Sequence, residues 1–149
     1  ALALVPDEKV VGAFGLLSAP LNAPVELHAV ATAQFSGGGI LALSGGSGHV
    51  GASGNKHELE VRAIGSEGQF IVDVHRELVW VFRPDGTDFT AELKPQAGAY
   101  NMFGPAHALV DAGLGKPGAN VADGRLGART VEALELVYQG ANAGHMVYA

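Results

Sequence analysis

The chain contains no cysteine, which excludes a disulfide framework and a thiolate-ligated metal centre and suits a reducing cytoplasm. Charge is sparse: Asp, Glu, Lys and Arg make up 16% of the residues, 15 acidic against 9 basic, for a formal charge of -6. That mildly negative field repels phosphate, so nucleic acid and anionic membrane surfaces are not expected partners. A long apolar run is also missing. Ala1 to Val5 is apolar, but it lacks a basic start and soon meets Pro6-Asp7-Glu8-Lys9. It therefore resembles neither a signal peptide nor a membrane span, and reads as the cut end of a helix or loop entered partway.

What is present suits a globular domain. With 48% hydrophobic residues over 149 positions the chain can bury one sizeable core, so a single domain over 1–149 is expected. The 22 glycines and 7 prolines fall mostly between apolar runs, as turn punctuation rather than linker.

Val10 to Leu17 is apolar and β-permissive. Val25 to Phe35 alternates Leu27, Ala29, Ala31, Ala33 and Phe35 with Glu26, His28, Thr32 and Gln34, the pattern of a half-buried strand. Ser36-Gly37-Gly38-Gly39 turns the chain into Ile40 to Ser44, and a glycine-rich loop from Gly45 to Gly54 follows. The turn Gly65-Ser66-Glu67-Gly68 sets a hairpin in which Ile64 pairs with Gln69. That register places Leu59/Val74, Val61/Val72 and Ala63/Phe70 on one face, and Glu58/His75, Glu60/Asp73 and Arg62/Ile71 on the other. Leu78 to Arg83 predicts another strand, turned by Pro84-Asp85-Gly86 into Phe89 to Leu93.

Helices follow the strands. Gly104 or Pro105 to about Ala112 suits a short helix. Asp123 offers an N-cap carboxylate to a long one, with Leu126, Val131, Leu134, Val137, Tyr138 and Ala141 at helical spacing, Gly144 as a left-handed stop, and Val147-Tyr148 as a final short strand. Strands first and helices later predict an α+β fold: a mostly antiparallel, open-faced sheet with helices packed on one face.

Few motifs survive their context. Gly46-Ser47-Gly48-His49-Val50-Gly51 matches G-x-G-x-x-G, but Ala52 to Lys56 leads towards a strand instead of the helix a pyrophosphate needs. The only Gly-Lys pair, Gly115-Lys116, precedes Pro117, so there is no phosphate loop. The six histidines form no helical His-x-x-x-His pair, and no metal site is expected. No nucleophile elbow is present. Glu58, Glu60, Arg62, Asp73 and His75 could tune a proton-transfer group, although a solvated or interface sheet face explains them better. Trp80, Phe70, Phe82 and Phe89 read as core, with a carbohydrate platform the rarer alternative.

In their order, Val25 to Gly39, Leu59-Glu60-Val61-Arg62-Ala63-Ile64-Gly65-Ser66-Glu67-Gly68, Phe103 with Ala108 to Gly113, Lys116-Pro117, Asp123-Gly124, Val131-Glu132-Ala133 and Tyr138-Gln139-Gly140-Ala141 resemble the C-terminal domain of the Gfo/Idh/MocA family of NAD(P)-dependent sugar and cyclitol oxidoreductases. The resemblance implies an N-terminal Rossmann domain, a Glu-Lys-Pro segment and a catalytic histidine on a helix before the first sheet strand. None of these can be placed here. Lys94 of Leu93-Lys94-Pro95 takes no role, because the family's Glu-Lys-Pro precedes the hairpins. No residue of this chain is therefore expected to be catalytic or to bind NAD(P).

The positions matching the family's polyol contacts are Asn55, His57 and Glu58, donors and acceptors suited to hydroxyls. The inositol-like branch has tyrosine and Asp-x-Arg where this chain has His57 and Glu58-Leu59-Glu60. The expectation is thus a substrate-binding and oligomerisation domain for a sugar, polyol or related hydroxyl compound. It would be inactive alone, cytoplasmic and homo-oligomeric through its open sheet face. A stand-alone homo-oligomeric ligand-binding or assembly module is the alternative, and a small metal-assisted enzyme is a third reading.

Overall fold

The computed structural model describes residues 2–46, 59–74, 76–92, 103–117 and 122–149. The strands are β1 (Val10–Ser18), β2 (His28–Phe35), β3 (Ile40–Gly46), β4 (Glu60–Gly65), β5 (Gly68–Asp73), β6 (Leu78–Phe82), β7 (Asp88–Glu92) and β8 (Val147–Tyr148). The helices are α1 (Phe103–Gly113) and α2 (Gly124–Ala143). The fold is α+β, with two four-stranded sheets whose described strand pairs are all antiparallel. Two compact units contain them, Ala1–Gly51 with Asn120–Ala149, and Ala52–Ala119.

The first unit holds the sheet β3-β2-β1-β8. Its period-2 pattern puts Ala13, Gly15 and Leu17 of β1 opposite Ala33, Ala31 and Ala29 of β2, and Ala31 and Ala33 in turn opposite Leu43 and Leu41 of β3. This is the face expected to be buried, and Ala13, Ala33 and Phe35 form its core. Strand β2 starts at His28, later than Val25, which is exposed; Leu27 N–H is already held by Ser18 C=O at 2.8 Å.

Helix α2 begins as its caps dictate. The Asp123 carboxylate accepts from Leu126 N–H at 2.8 Å, satisfying one of the orphan donors of the first turn. At the other end Gly144 adopts φ 74°, ψ 12° and returns its N–H to Gly140 C=O at 2.9 Å, a left-handed stop that a side chain would strain. The face it buries differs in part from the expected stripe. Leu126, Val137 and Ala141 are partly buried and Gly140 fully so, whereas Val131 and Leu134 are exposed. The reason is where α2 crosses β1. A Cβ on Gly140 would lie 2.6 Å from the Ala13 carbonyl oxygen, and one on Gly15 would lie 2.6 Å from Val137 Cγ1. The crossing is small against small, and carries no hydrophobic signature in the sequence.

Arg129 ties the N-terminal segment to the same helix. Its guanidinium donates to the carbonyls of Leu2 (3.2 Å), Val5 (2.8 Å) and Glu8 (2.6 Å), a use of the planar five-donor fork that lysine cannot reproduce. Next to it the Glu8 carboxylate accepts from the Ser36 hydroxyl at 2.7 Å and from Gly37 N–H. Those bonds favour the ionised form, and Ser36 first, then Gly37, hold the Glu8 carboxyl below its ordinary value.

The second unit holds the sheet β4-β5-β6-β7. The β4–β5 hairpin has the register expected from its turn: Glu60↔Asp73, Val61↔Val72, Arg62↔Ile71, Ala63↔Phe70 and Ile64↔Gln69, with Val74 N–H bonded to Leu59 C=O at 2.9 Å. At the β6–β7 turn the Asp85 carboxylate accepts from Thr87 N–H at 2.8 Å, and the Arg83 N–H closes the loop by donating to Thr87 C=O at 3.1 Å. Helix α1 spans the expected segment, with Phe103, Leu109 and Val110 exposed.

Candidate functional site

Asn55, His57 and Glu58 lie outside the described residues, as do His75, Lys94 and most of the glycine loop after Gly46. What the structure places is the hairpin they lead into, since Leu59 follows Glu58 directly and β4 opens at Glu60. The strand that ends at Gly46 pairs antiparallel with β2. A dinucleotide cradle is instead built where a parallel strand feeds a helix N-terminus.

Of the expected ionisable face, the described residues are Glu60, Arg62 and Asp73, which register places together on one side of β4 and β5. Arg62 and Glu60, both about half exposed, approach to 3.9 Å along one strand. The Asp73 carboxylate, nearly buried, accepts from Arg76 N–H at 2.8 Å and lies 3.6 Å from Arg76 Nε. Asp73 therefore closes the turn after β5, which is a structural use. Among the described residues no three His, Asp or Glu side chains gather at metal-binding distance.

Register sorts the aromatic residues differently from the expectation of a shared core. Phe70, Val81 and Phe89 are cross-strand partners on one face, whereas Ile71, Trp80 and Thr90 line the other, as do Gln69, Phe82 and Asp88. The second set shares its face with Glu60, Arg62 and Asp73. The ionisable face thus has an aromatic centre: Trp80 and Phe82, half-buried, share it with Arg62, Gln69 and Thr90. Aromatic surface bordered by donors and acceptors is chemistry suited to the C–H faces and hydroxyls of a polyol. Single-strand spacing could not show this, because it depends on how β6 registers with β5.

The first unit carries a separate concavity of about 370 Å³ beside α2, lined by Ala29, Ala31, Ala33, Leu41, Leu43, Leu134 and other apolar side chains. On its rim the Tyr138 hydroxyl donates to the Glu26 carboxylate. The bond lowers the Glu26 carboxyl from its ordinary value and raises the Tyr138 phenol.

No protein-family model and no curated protein sequence matches this chain. Solved structures do. A Thermotoga maritima protein described as an oxidoreductase aligns over 99% of this chain and 43% of its own, at TM-score 0.73 and 14% identity. The fold is that of a Gfo/Idh/MocA-type C-terminal domain. An inositol dehydrogenase homologue from Azotobacter vinelandii, solved with NADH and myo-inositol, aligns over 98% of this chain and 46% of its own at TM-score 0.65 and 17% identity. A levoglucosan dehydrogenase, solved with NADH and levoglucosan, aligns over 95% and 45% at TM-score 0.68 and 14% identity. The chain spans less than half the length of the proteins it matches, and at such identities the likeness is one of fold. No helix among the described residues is long and apolar enough to cross a membrane.

Proposed function

We propose that the chain is the substrate-binding and oligomerisation domain of an NAD(P)-dependent oxidoreductase acting on a sugar, polyol or related hydroxyl compound, and is inactive by itself. The observation that carries this reading is the alignment of nearly the whole chain with less than half of each of several oxidoreductases, two of them solved with a nicotinamide cofactor and a hydroxyl-rich small molecule. Hydride transfer needs nicotinamide, carbinol and an acid-base group in one near-attack geometry. On this reading an N-terminal Rossmann domain supplies the cofactor and the acid-base group. The present chain supplies the wall against which the substrate rests, through Asn55, His57 and Glu58. The lack of cysteine fits a cytoplasmic setting for such chemistry.

Oligomerisation is supported by the first sheet. Leu16 and Val30, direct partners across β1 and β2, are 65% and 56% exposed on the face opposite the core, an apolar surface that a second copy would cover.

The test is binding by this chain alone. Titration with myo-inositol or a hexose, followed by NMR, is expected to shift Asn55, His57 and Glu58, whereas NAD and NADP are expected to shift nothing. Saturable nucleotide binding in the micromolar range would refute the division of labour.

A further inference from the structure

Asp85-Gly86 and Asp123-Gly124 are the two Asp-Gly steps of the chain, and it has no Asn-Gly step. At an Asp-Gly step the backbone can rearrange without a catalyst, because glycine has no side chain to keep its amide nitrogen from the aspartate carboxyl. The glycine nitrogen bonds to the aspartate Cγ, and one carboxyl oxygen leaves as water with the amide and carboxyl protons. The product is a five-membered succinimide. Water then adds back to the ring. When it breaks the bond between the glycine nitrogen and the aspartate's main-chain carbonyl carbon, the chain runs on through Cβ and Cγ as isoaspartate. The water lost is the water regained, so no oxidant, reductant or other co-reactant is needed.

Nothing local in the sequence ranks the two steps, but their surroundings in the fold do. Asp123 is held twice by the first turn of α2: its carboxylate accepts from Leu126 N–H at 2.8 Å and its carbonyl from Gly127 N–H at 3.1 Å. Turning that carboxyl towards the Gly124 nitrogen therefore removes the cap of a 20-residue helix. Asp85 stands instead in the exposed turn 83–87. Its carboxylate accepts from Thr87 N–H at 2.8 Å, and Gly86 N–H donates to Arg83 C=O at 3.0 Å. Both bonds lie inside the turn, so both can open while the β6–β7 ladder stays paired. Gly86 has φ 81° and nothing within 4 Å of its Cβ position, so no neighbour blocks the movement. We infer that Asp85-Gly86 is the site at which the folded chain rearranges to isoaspartate, and that Asp123-Gly124 is spared. The product bears on the sheet. Isoaspartate adds one carbon to the main chain, about 1.5 Å, in a turn whose length sets the pairs Phe82↔Asp88, Val81↔Phe89 and Trp80↔Thr90. The Arg83 N–H to Thr87 C=O bond spans the altered link, so β7 loosens first.

The experiment stores the folded chain for several weeks at mildly acidic pH and then digests it with an endoproteinase that cuts before aspartate and not before isoaspartate. Uncut Asp85 is expected to grow with time and to exceed uncut Asp123 roughly tenfold, the rate factor that about 1.4 kcal/mol of cap stability supplies. Labelling by an isoaspartyl carboxyl methyltransferase should grow in parallel and disappear in Asp85→Glu, which keeps the carboxylate but would have to close a larger ring. Amide exchange in β7 of the stored chain should quicken roughly tenfold while β5 stays protected. Complete cleavage at Asp85 after storage, isoaspartate forming at Asp123 as fast as at Asp85, or label that persists in Asp85→Glu would overturn the assignment. A stored β7 that exchanges as slowly as the fresh one would refute the damage to the turn.

Discussion

Gly140 of α2 rests on the backbone of Ala13 in β1, so closely that a methyl group on the glycine would lie 2.6 Å from the Ala13 carbonyl oxygen and 2.9 Å from Phe14 Cα. Backbone cannot move aside as a flexible side chain can, so this contact fixes how near the long helix approaches the first sheet.

Gly140→Ala is expected to destabilise the chain by about 1–3 kcal/mol, since overpacking at a fixed crossing outweighs the roughly 1 kcal/mol gained in helix propensity. Gly127→Ala is the control. It lies on the same helix with open space around its Cβ position, and should stabilise by roughly 0.5–1 kcal/mol. Urea unfolding of the pair measures both signs.

Arg129→Lys is expected to cost about 1–2 kcal/mol, because an ammonium cannot serve carbonyls at Leu2, Val5 and Glu8 together. Amide exchange between Val5 and Lys9 should speed up while the middle of β2 stays protected. Uniform acceleration would show that the arginine stabilises the whole unit instead of its entry segment.

Glu8, Glu26 and Asp85 all have carboxyls held below their ordinary values, by the Ser36 hydroxyl, the Tyr138 hydroxyl and Thr87 N–H respectively. A depressed folded-state value means that the stabilisation is fully present above the unfolded value, about 4 for carboxylates, and is lost as pH falls through the folded one. Stability should therefore decline on acidification below roughly pH 4. Carboxyl NMR titration should show the Glu8 midpoint rising in Ser36→Ala and the Glu26 midpoint rising in Tyr138→Phe. Unchanged midpoints would remove those hydrogen bonds as the cause.

Where the determinants are local, the sequence was readable. The turn Gly65-Ser66-Glu67-Gly68 fixes the β4–β5 register, and Asp123 and Gly144 mark the limits of α2 by capping chemistry that needs no tertiary partner. What could not be read depends on partners distant in the chain. Val131 and Leu134 fit a helical stripe but are 67% and 50% exposed, because the crossing with β1 is decided by the two glycines. Trp80 reads as core until β6 is registered against β5, which sets it beside Ile71 on the face of Arg62. The partition of the strands into two sheets likewise lacks a local signal. The candidate substrate residues were reached through family resemblance and not by periodicity, and the structure describes only the strand they precede.

Trp80→Ala in the full polypeptide is expected to raise KM for a polyol substrate by roughly tenfold with little change in kcat, if the ring supplies binding common to ground and transition states. A fall in kcat at constant KM would place the ring's effect elsewhere.

If these residues serve as the substrate-side part of a two-part dehydrogenase, NAD(P)H absorbance followed with a panel of sugars and polyols will separate the natural full-length polypeptide from the 149-residue chain. A polypeptide about twice as long is expected to turn over and the short chain is expected to stay silent. A natural product no longer than this chain, or reduction of NAD(P) by the short chain alone, would rule the division of labour out.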